Sequence, residues 1–305
     1  MSMRVKEILN IGEKQLMECG VADAAIDSKI LYCFLMHVSN AKLILEYQRV
    51  LPDAQCDEYF KLLDVRSAGV PLQYIVGFQE FMGLNFKVNE SVLIPRQDTE
   101  TLVEEAINVI NENKLAGEEL TIRKKKEYEV LDMGSGSGCI GISIAKLCKN
   151  VKVTCSDLSE DALKVARQNA ERLGVGRDMN FTAGNMLLPF KGRFKTRRFD
   201  MIISNPPYIR TAVIPTLQRE IKEHEPMVAL DGGADGLDFY RAVIPEIPTF
   251  LKKEGVVMFE IGADQMADVK GMLEANEAFE NVKGLQDLAH RDRVVFATLA
   301  GKKKK

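Results

Sequence analysis

An amide, two prolines and an aromatic ring stand in a row at Asn205-Pro206-Pro207-Tyr208, directly after the apolar run Phe199-Asp200-Met201-Ile202-Ile203-Ser204. The run reads as a buried strand. The double proline stops it, because proline lacks an N–H and fixes its own φ. Backbone carbonyls left free at such a stop can accept hydrogen bonds from another molecule. Asn205 adds a side-chain oxygen and Tyr208 a flat ring face, so the segment suits a planar amino group: acceptors for its two N–H bonds and a plane to pack against. An Asn-Pro step alone would mark only a turn; the whole tetrapeptide at a strand end carries more. Asn205, Pro206 and Tyr208 are therefore the candidate catalytic residues, and with Pro207 they form the candidate contact for the group being modified.

A second segment bears on what happens to that group. Tyr128 to Met133 is β-prone and leads into Gly134-Ser135-Gly136-Ser137-Gly138, after which Ile140, Ile144 and Leu147 show helical spacing. Strand, glycine loop and helix make a grip for a nucleotide-like cofactor, since glycines admit a ligand to the backbone and a helix start offers oriented N–H groups. Gly134, Ser135, Gly136, Ser137 and Gly138 are candidate cofactor residues on this ground. The next strand, Val151 to Ser156, ends in Asp157, whose carboxylate can accept from both hydroxyls of a ribose. Gly136, Gly138 and Gly141 also satisfy the G-x-G-x-x-G dinucleotide fingerprint. The glycines by themselves do not separate a nicotinamide enzyme from a methyltransferase.

These segments need a frame. From Asp98 onward strand and helix patterns alternate, with a helix at 99–112, strands near 129, 152, 180, 201 and 257, and helices near 160–173, 236–252 and 264–275. Such alternation predicts a doubly wound, mostly parallel α/β sheet. Ahead of it, helical spacing at Val5–Met17, Ile26–Val38, Leu43–Leu51 and Tyr59–Val65, punctuated by Gly20, Pro52 and Pro71, predicts a small helical bundle. Gln73 to Ile94 alternates around Gly77 and Gly83 and reads as a β-hairpin linker. The expected boundaries are 1–72 for the bundle, 73–96 for the linker and 97–301 for the cofactor-binding domain.

Asp132 and Gly134, Asp157, and the Asn-Pro-Pro-Tyr end of a later strand together resemble S-adenosylmethionine-dependent methyltransferases that modify planar amino nitrogens. Further motifs narrow this: Gln73-Tyr74-Ile75-Val76-Gly77, Ile94-Pro95-Arg96-Gln97-Asp98-Thr99-Glu100, His224-Glu225-Pro226 with Ala229-Leu230, Asp235-Gly236-Leu237 and Glu260-Ile261-Gly262. Their series is similar to that of the release-factor glutamine N5-methyltransferases, the PrmC/HemK family, and runs from about Gln73 to Phe296. The resemblance implies a seven-stranded Rossmann-like sheet, with Val282–Leu288 and Arg293–Leu299 as an antiparallel pair at one edge. It implies S-adenosylmethionine as cofactor and methyl transfer to the amide nitrogen of the glutamine in the Gly-Gly-Gln loop of peptide chain release factors, modulating translation termination. It places Glu225, Pro226 and Leu230 in a loop over the substrate and the Arg96–Glu100 segment beside the cofactor pocket. It also suggests that the N-terminal bundle helps to hold the release factor. Where the family often carries an acidic residue for the adenine amino group this chain has Asn185, followed by Met186 in place of a larger ring; adenine contact is expected at both, Asn185 offering an acceptor without charge.

Composition limits the alternatives. With 305 residues and 46% hydrophobic content the chain can bury a substantial core, in one large domain and a smaller one. A formal charge of -3 argues against a broad nucleic-acid-binding surface. The alternative activity, an amino-methyltransferase acting on a nucleic-acid base, would want a basic target-recognition region. A non-catalytic scaffold is the other alternative, and the intact tetrapeptide stands against it. The basic runs Arg123–Lys126 and Lys302–Lys305 read as a solvated connection and tail. His224 reads as an exposed loop residue and Gly262 as a strand end. Six cysteines without a C-x-x-C pair and three scattered histidines suggest neither disulfides nor a metal site. No run approaches the roughly 18 apolar residues of a membrane span, and Met1–Gly20 carries charges throughout, so the expected compartment is the cytoplasm.

Overall fold

Val130, Met201, Ile203, Val256 and Met258 pack into one apolar cluster, while Leu131, Ile202, Val257 and Phe259 pack into another. Successive residues of a strand point to opposite faces, so these strands are buried on both sides, as parallel strands under helices must be. The computed structural model describes residues 2–117, 127–192 and 199–301; the basic runs at Arg123–Lys126 and Lys302–Lys305 lie outside them. Numbered within the sheet, the strands are β1 (Tyr128–Met133), β2 (Val151–Asp157), β3 (Met179–Ala183), β4 (Phe199–Ser204), β5 (Leu251–Glu260), β6 (Phe279–Gln286) and β7 (Asp292–Leu299). Their order is β6-β7-β5-β4-β1-β2-β3. β1 to β5 pair in parallel and β7 runs antiparallel to both β5 and β6. The seven-stranded, doubly wound expectation and its antiparallel edge pair are both observed.

Helices Glu100–Gly117, Cys139–Leu147 and Glu160–Arg172 supply the first cluster, and Asp238–Val243 and Met266–Glu274 the second. The helix expected over 236–252 is much shorter, and its second half is a 3₁₀ turn at Ile247–Thr249 followed by β5 from Leu251. Pro245 and Pro248 are the cause, since neither can donate to the preceding turn.

The hairpin linker also needs correcting. Leu72–Val76 is a short helix, ended by Gly77 at φ 80°, and the hairpin proper is Phe78–Phe81 paired with Leu84–Lys87. Left-handed backbone after a last helical turn is what glycine permits cheaply. The chain divides into two units: Met1–Phe78 with Leu217–His224, and Gln79–Thr216 with Glu225–Lys305. The division thus falls later than the expected boundary at 72, and a segment from far down the chain joins the N-terminal unit.

That unit is built on helices Val5–Glu18, Ala24–Met36, Asn40–Glu46 and Asp53–Ser67. The third was expected over 43–51, but Val50–Leu51 instead pairs antiparallel with Met3–Arg4. The Tyr59 hydroxyl and the Ser28 hydroxyl lie 2.7 Å apart inside the apolar core, and Ser28 donates to the Leu9 carbonyl at 2.9 Å. A Cβ at Gly12 would lie 2.4 Å from that Tyr59 oxygen, so glycine is what lets the first helix approach the fourth. Arg66, buried, is bonded to Asp27 and to Glu220 at 2.7 Å each. Its desolvation is thereby offset by two carboxylates. His224 ends the helix Arg219–His224 and is half-buried, with its Nε2 shielded from solvent, which corrects its reading as an exposed loop residue.

Candidate active site

β1, β2 and β4 end side by side, because β1 pairs with both β2 and β4. In an open parallel sheet the crevice for a ligand lies beyond these carboxyl ends. A cleft of about 850 Å³, open to solvent, occupies that place and is lined by Gly134, Gly136, Asp157, Asn185, Met186, Asn205, Pro207 and Pro226 among others. Ser204 at the end of β4 donates its hydroxyl to the Met133 carbonyl at 2.5 Å, fixing the two strand ends that carry the glycine loop and the tetrapeptide.

On one wall the glycine loop is folded around Asp157. Its Oδ2 accepts the Gly136 N–H at 2.8 Å and its Oδ1 accepts the Ser159 N–H at 2.8 Å. An ionised carboxylate has about four lone-pair sites, so it retains capacity for hydroxyl donors beyond these N–H groups. Burial raises the Asp157 carboxyl above its usual range, and the backbone N–H groups of Ser159, Gly136 and Leu158 oppose that rise. Gly134 and Gly136 adopt φ of 74° and 54°, and a Cβ on Gly136 would meet nothing within 4 Å. That open space is room for a ligand against bare backbone. Gly138 differs: a Cβ there would lie 2.7 Å from Ile142 and 3.1 Å from Ala166. Gly141 is crowded by Asp132, Val153 and Cys155 at 2.9–3.0 Å. The second glycine of a dinucleotide fingerprint has to admit a pyrophosphate, and here it is closed off by packing. The arrangement fits a nucleoside gripped by its ribose.

Not every residue of the loop faces the cleft. Ser135 is buried and donates to the Asp132 carbonyl at 2.8 Å, Ser137 is buried with its carbonyl bonded to Asn169 at 3.0 Å, and Gly138 packs as described. These expected cofactor contacts are supports for the loop. Behind it Asp132 is fully buried; Oδ2 accepts the Gly141 N–H at 2.9 Å, and burial pushes its carboxyl up to about 7.

The opposite wall carries the tetrapeptide. Asn205 and Pro207 line the cleft, whereas Pro206 is buried and Tyr208 is tied back by its hydroxyl, which donates to Glu260 Oε1 at 3.2 Å. The Tyr208 hydroxyl is raised by burial and by that neighbouring carboxylate. Asn205 donates from Nδ2 to Thr99 Oγ1 at 3.1 Å, which leaves Oδ1 for other partners. Close approach from the 231–237 loop steadies this backbone: a Cβ at Gly232 would lie 2.8 Å from the Pro207 carbonyl, and one at Gly236 only 2.4 Å from that of Tyr208. Gln265 donates to the same Tyr208 carbonyl at 3.0 Å.

Pro226 lines the cleft, but the Glu225 side chain beside it is buried and bonded to Arg96. Its carboxylate holds the loop rather than facing the cleft. Leu230 is buried as well. Sequence reasoning gave no role to Glu260 or to the paired glycines 232 and 236, although the Gly-Gly-x-x-Gly spacing of the last was a visible signal for close backbone approach. Leu158 was missed too: it lines the cleft and is 58% exposed directly after Asp157, an apolar side chain placed where a planar ligand could cover it. Among the described residues no cluster of His, Cys, Asp or Glu could hold a metal ion, and no helix is long and apolar enough to cross a membrane.

The strand order and the cleft together define a Rossmann-like methyltransferase. The same fold occurs in the hMettl16 catalytic domain (TM-score 0.54, 12% identity, over 84% of this chain and 86% of that one) and in human methyltransferase 10 domain containing protein (TM-score 0.52, 15% identity, over 79% and 97%). Residues 7–77 match the PrmC N-terminal domain and residues 124–302 a methyltransferase domain. Release factor glutamine methyltransferases of Clostridium acetobutylicum and Bacillus cereus are 38% and 36% identical, over 98% and 97% of this chain and all of each relative. That of Moorella thermoacetica is 35% identical over 97% of this chain and 98% of its own. The chain belongs to the release factor glutamine methyltransferase family, and its cofactor is S-adenosylmethionine.

Proposed function

We propose that this chain transfers a methyl group from S-adenosylmethionine to the side-chain amide nitrogen of the glutamine in the Gly-Gly-Gln loop of peptide chain release factors, with Asn205 as the residue that orients that nitrogen. The observation that carries the reading is that Asn205 and Asp157 line one cleft from opposite walls, the first with Oδ1 left for a donor and the second with lone pairs left for a ribose.

S-adenosylmethionine supplies an electrophilic methyl group when bound. Asp157 accepts from its ribose hydroxyls, Gly134 and Gly136 let it approach the backbone, and Asn185 and Met186 meet the adenine. An amide nitrogen is a poor nucleophile because its lone pair is delocalised into the carbonyl. Asn205 Oδ1 and the Pro206 carbonyl accept its two N–H bonds, which holds it in line and favours charge build-up on nitrogen. The Tyr208 ring packs behind the tetrapeptide and keeps its shape. Orientation of this kind is worth up to about 7 to 11 kcal/mol. A nitrogen that has gained a methyl is strongly acidic, so its proton leaves to solvent without a dedicated base. Pro226, held by the Arg96–Glu225 pair, covers the substrate amide. The N-terminal unit holds the body of the release factor.

The test is incubation with a release factor and isotope-labelled cofactor, followed by peptide mass spectrometry, with bulk nucleic acid as a parallel acceptor. A single methyl on the glutamine of the Gly-Gly-Gln loop is the expected result. Label in nucleic acid and none in the release factor would overturn the reading.

A further inference from the structure

The backbone of β4 delivers Asn205 to the cleft but does not decide which end of its amide faces the substrate. Thr99 does. It closes the 3₁₀ turn Gln97–Thr99, is 2% exposed, and accepts Asn205 Nδ2 at 3.1 Å. A threonine hydroxyl has one proton to give. The Thr99 side chain also neighbours the Glu260 carboxylate and favours its ionised form, and an ionised carboxylate can only accept. Glu260 is the last residue of β5, buried, and it also receives the Tyr208 hydroxyl at 3.2 Å. Its own backbone is fixed, its carbonyl accepting the Tyr240 hydroxyl at 2.7 Å and its strand pairing with Val294 of β7. One buried carboxylate therefore restrains both ends of the tetrapeptide.

We infer that Thr99 and Glu260 are positioning residues for methyl transfer: they hold the Asn205 amide with its NH2 turned away from the cleft and its Oδ1 presented to the substrate amide, Glu260 acting through Thr99. The inference rests on the reading of Asn205 as the acceptor for the substrate N–H. Its logic is directional. While the Thr99 proton points at Glu260, only lone pairs face Asn205, so Asn205 must offer N–H to Thr99. Remove the acceptor at 260 and the Thr99 proton is free to turn toward Asn205, which can then flip. A flipped amide presents donors to the donors of the substrate, and the nitrogen loses both alignment and polarisation.

The charged and polar groups around Glu260 suit a fixed acceptor. Arg293 lies close enough to favour the carboxylate, and it is itself held by Asp98 at 3.1 Å and Asp287 at 3.2 Å. Glu260 Oε2 is buried with no hydrogen-bond partner among the described residues. Burial pushes the carboxyl up to about 7. A proton taken up there belongs on Oε2, where it leaves Oε1 still accepting, so the restraint survives neutralisation.

Single-turnover methylation of a release factor by the full chain, with calorimetry for S-adenosylmethionine, tests this. Thr99→Val keeps the shape and deletes the hydroxyl; methyl transfer should slow roughly 10- to 50-fold, with cofactor affinity unchanged and Thr99→Ser close to the parent. In an Asn205→Ala background, Thr99→Val should add nothing, because the residue it positions is gone. Glu260→Met, which also releases the Tyr208 hydroxyl, should slow transfer at least as much as Thr99→Val, while Glu260→Gln, which keeps an acceptor oxygen, should stay near the parental rate. Should Glu260→Met fail to fold in a thermal melt, the Thr99 variants carry the test alone. A parental rate for Thr99→Val, or a loss that persists in the Asn205→Ala background, overturns the inference. A parental rate for Asn205→Ala itself overturns the underlying reading instead.

Discussion

The two walls of the cleft are built on different plans. On the glycine-loop side, the hydrogen-bonding groups that shape the wall are backbone N–H groups and the Asp157 carboxylate, which joins the end of β2 to Gly136 in the loop after β1 and to Ser159 two residues on. On the tetrapeptide side, Asn205 is held by Thr99 and Tyr208 by Glu260, side chains from segments about a hundred and about fifty residues away. A wall made of backbone can bind but has little to tune. One made of buried side chains can fix the direction of a single amide. The first wall should therefore govern cofactor affinity and the second the rate of transfer.

The sharpest break of this contrast is Asn205→Ala. Its kcat should fall roughly 100- to 1,000-fold, the scale of losing one preorganised polar group, while calorimetric affinity for S-adenosylmethionine stays at the parental value. An equal loss in both would erase the distinction between the walls. Behind the glycine loop, Asp132 gives a pH signature. Burial pushes its carboxyl up to about 7, so between its ordinary value and about 7 the folded chain holds a proton that the unfolded chain has released. Stability then falls as pH rises through that window, by on the order of 2 to 4 kcal/mol for this group. Asp132→Asn should flatten the urea midpoint between about pH 4 and pH 7, with Glu260, also raised by burial to about 7, supplying the slope that remains. Parallel midpoints for variant and parent would show that Asp132 stays ionised.

Asp157→Ala comes next. Cofactor binding should weaken about 10- to 100-fold, and because the Gly136 and Ser159 N–H groups lose their acceptor, thermal stability should drop as well, by about 1 to 3 kcal/mol. A loss of kcat at saturating cofactor without any loss of affinity would place Asp157 on the wrong wall. The smallest effect belongs to Arg96→Ala. Its partner Glu225 is buried but Arg96 is partly exposed, so the pair is worth about 1 kcal/mol; KM for the release factor should rise a few-fold with cofactor affinity unmoved.

Local spacing made the backbone wall readable: Gly134, Gly136 and Asp157 all stand where the strand–loop–helix pattern put them. It also overcounted, since spacing cannot tell a glycine facing open space, such as Gly136, from one facing Ala166, such as Gly138. The tetrapeptide was legible as chemistry, but its supports were not. Thr99 and Glu260 matter because β4 and β5 are neighbours and the Gln97–Thr99 turn packs at their ends, and no periodicity in one strand reports what lies beside its last residue. The sheet was legible for the reason its strands are buried on both faces. The misread helix at 236–252 reflects two prolines outvoted by apolar spacing, and the misread strand at Gln73 reflects a helix too short to show its period.

Leu217–His224 leaves the catalytic unit, joins the N-terminal one, and returns at Glu225. The chain therefore passes between the units three times, at 78/79, 216/217 and 224/225. A single cut after Phe78 would not yield a self-contained enzyme: it would strand the helix Arg219–His224, whose Glu220 had been neutralising Arg66, and leave it joined on one side to Thr216 and on the other to Glu225 and Pro226. Severing the bundle thus perturbs the chain on both sides of that segment, after Thr216 and before Glu225, and a dissected second unit would need the segment replaced by a short linker before its kinetics described the intact chain.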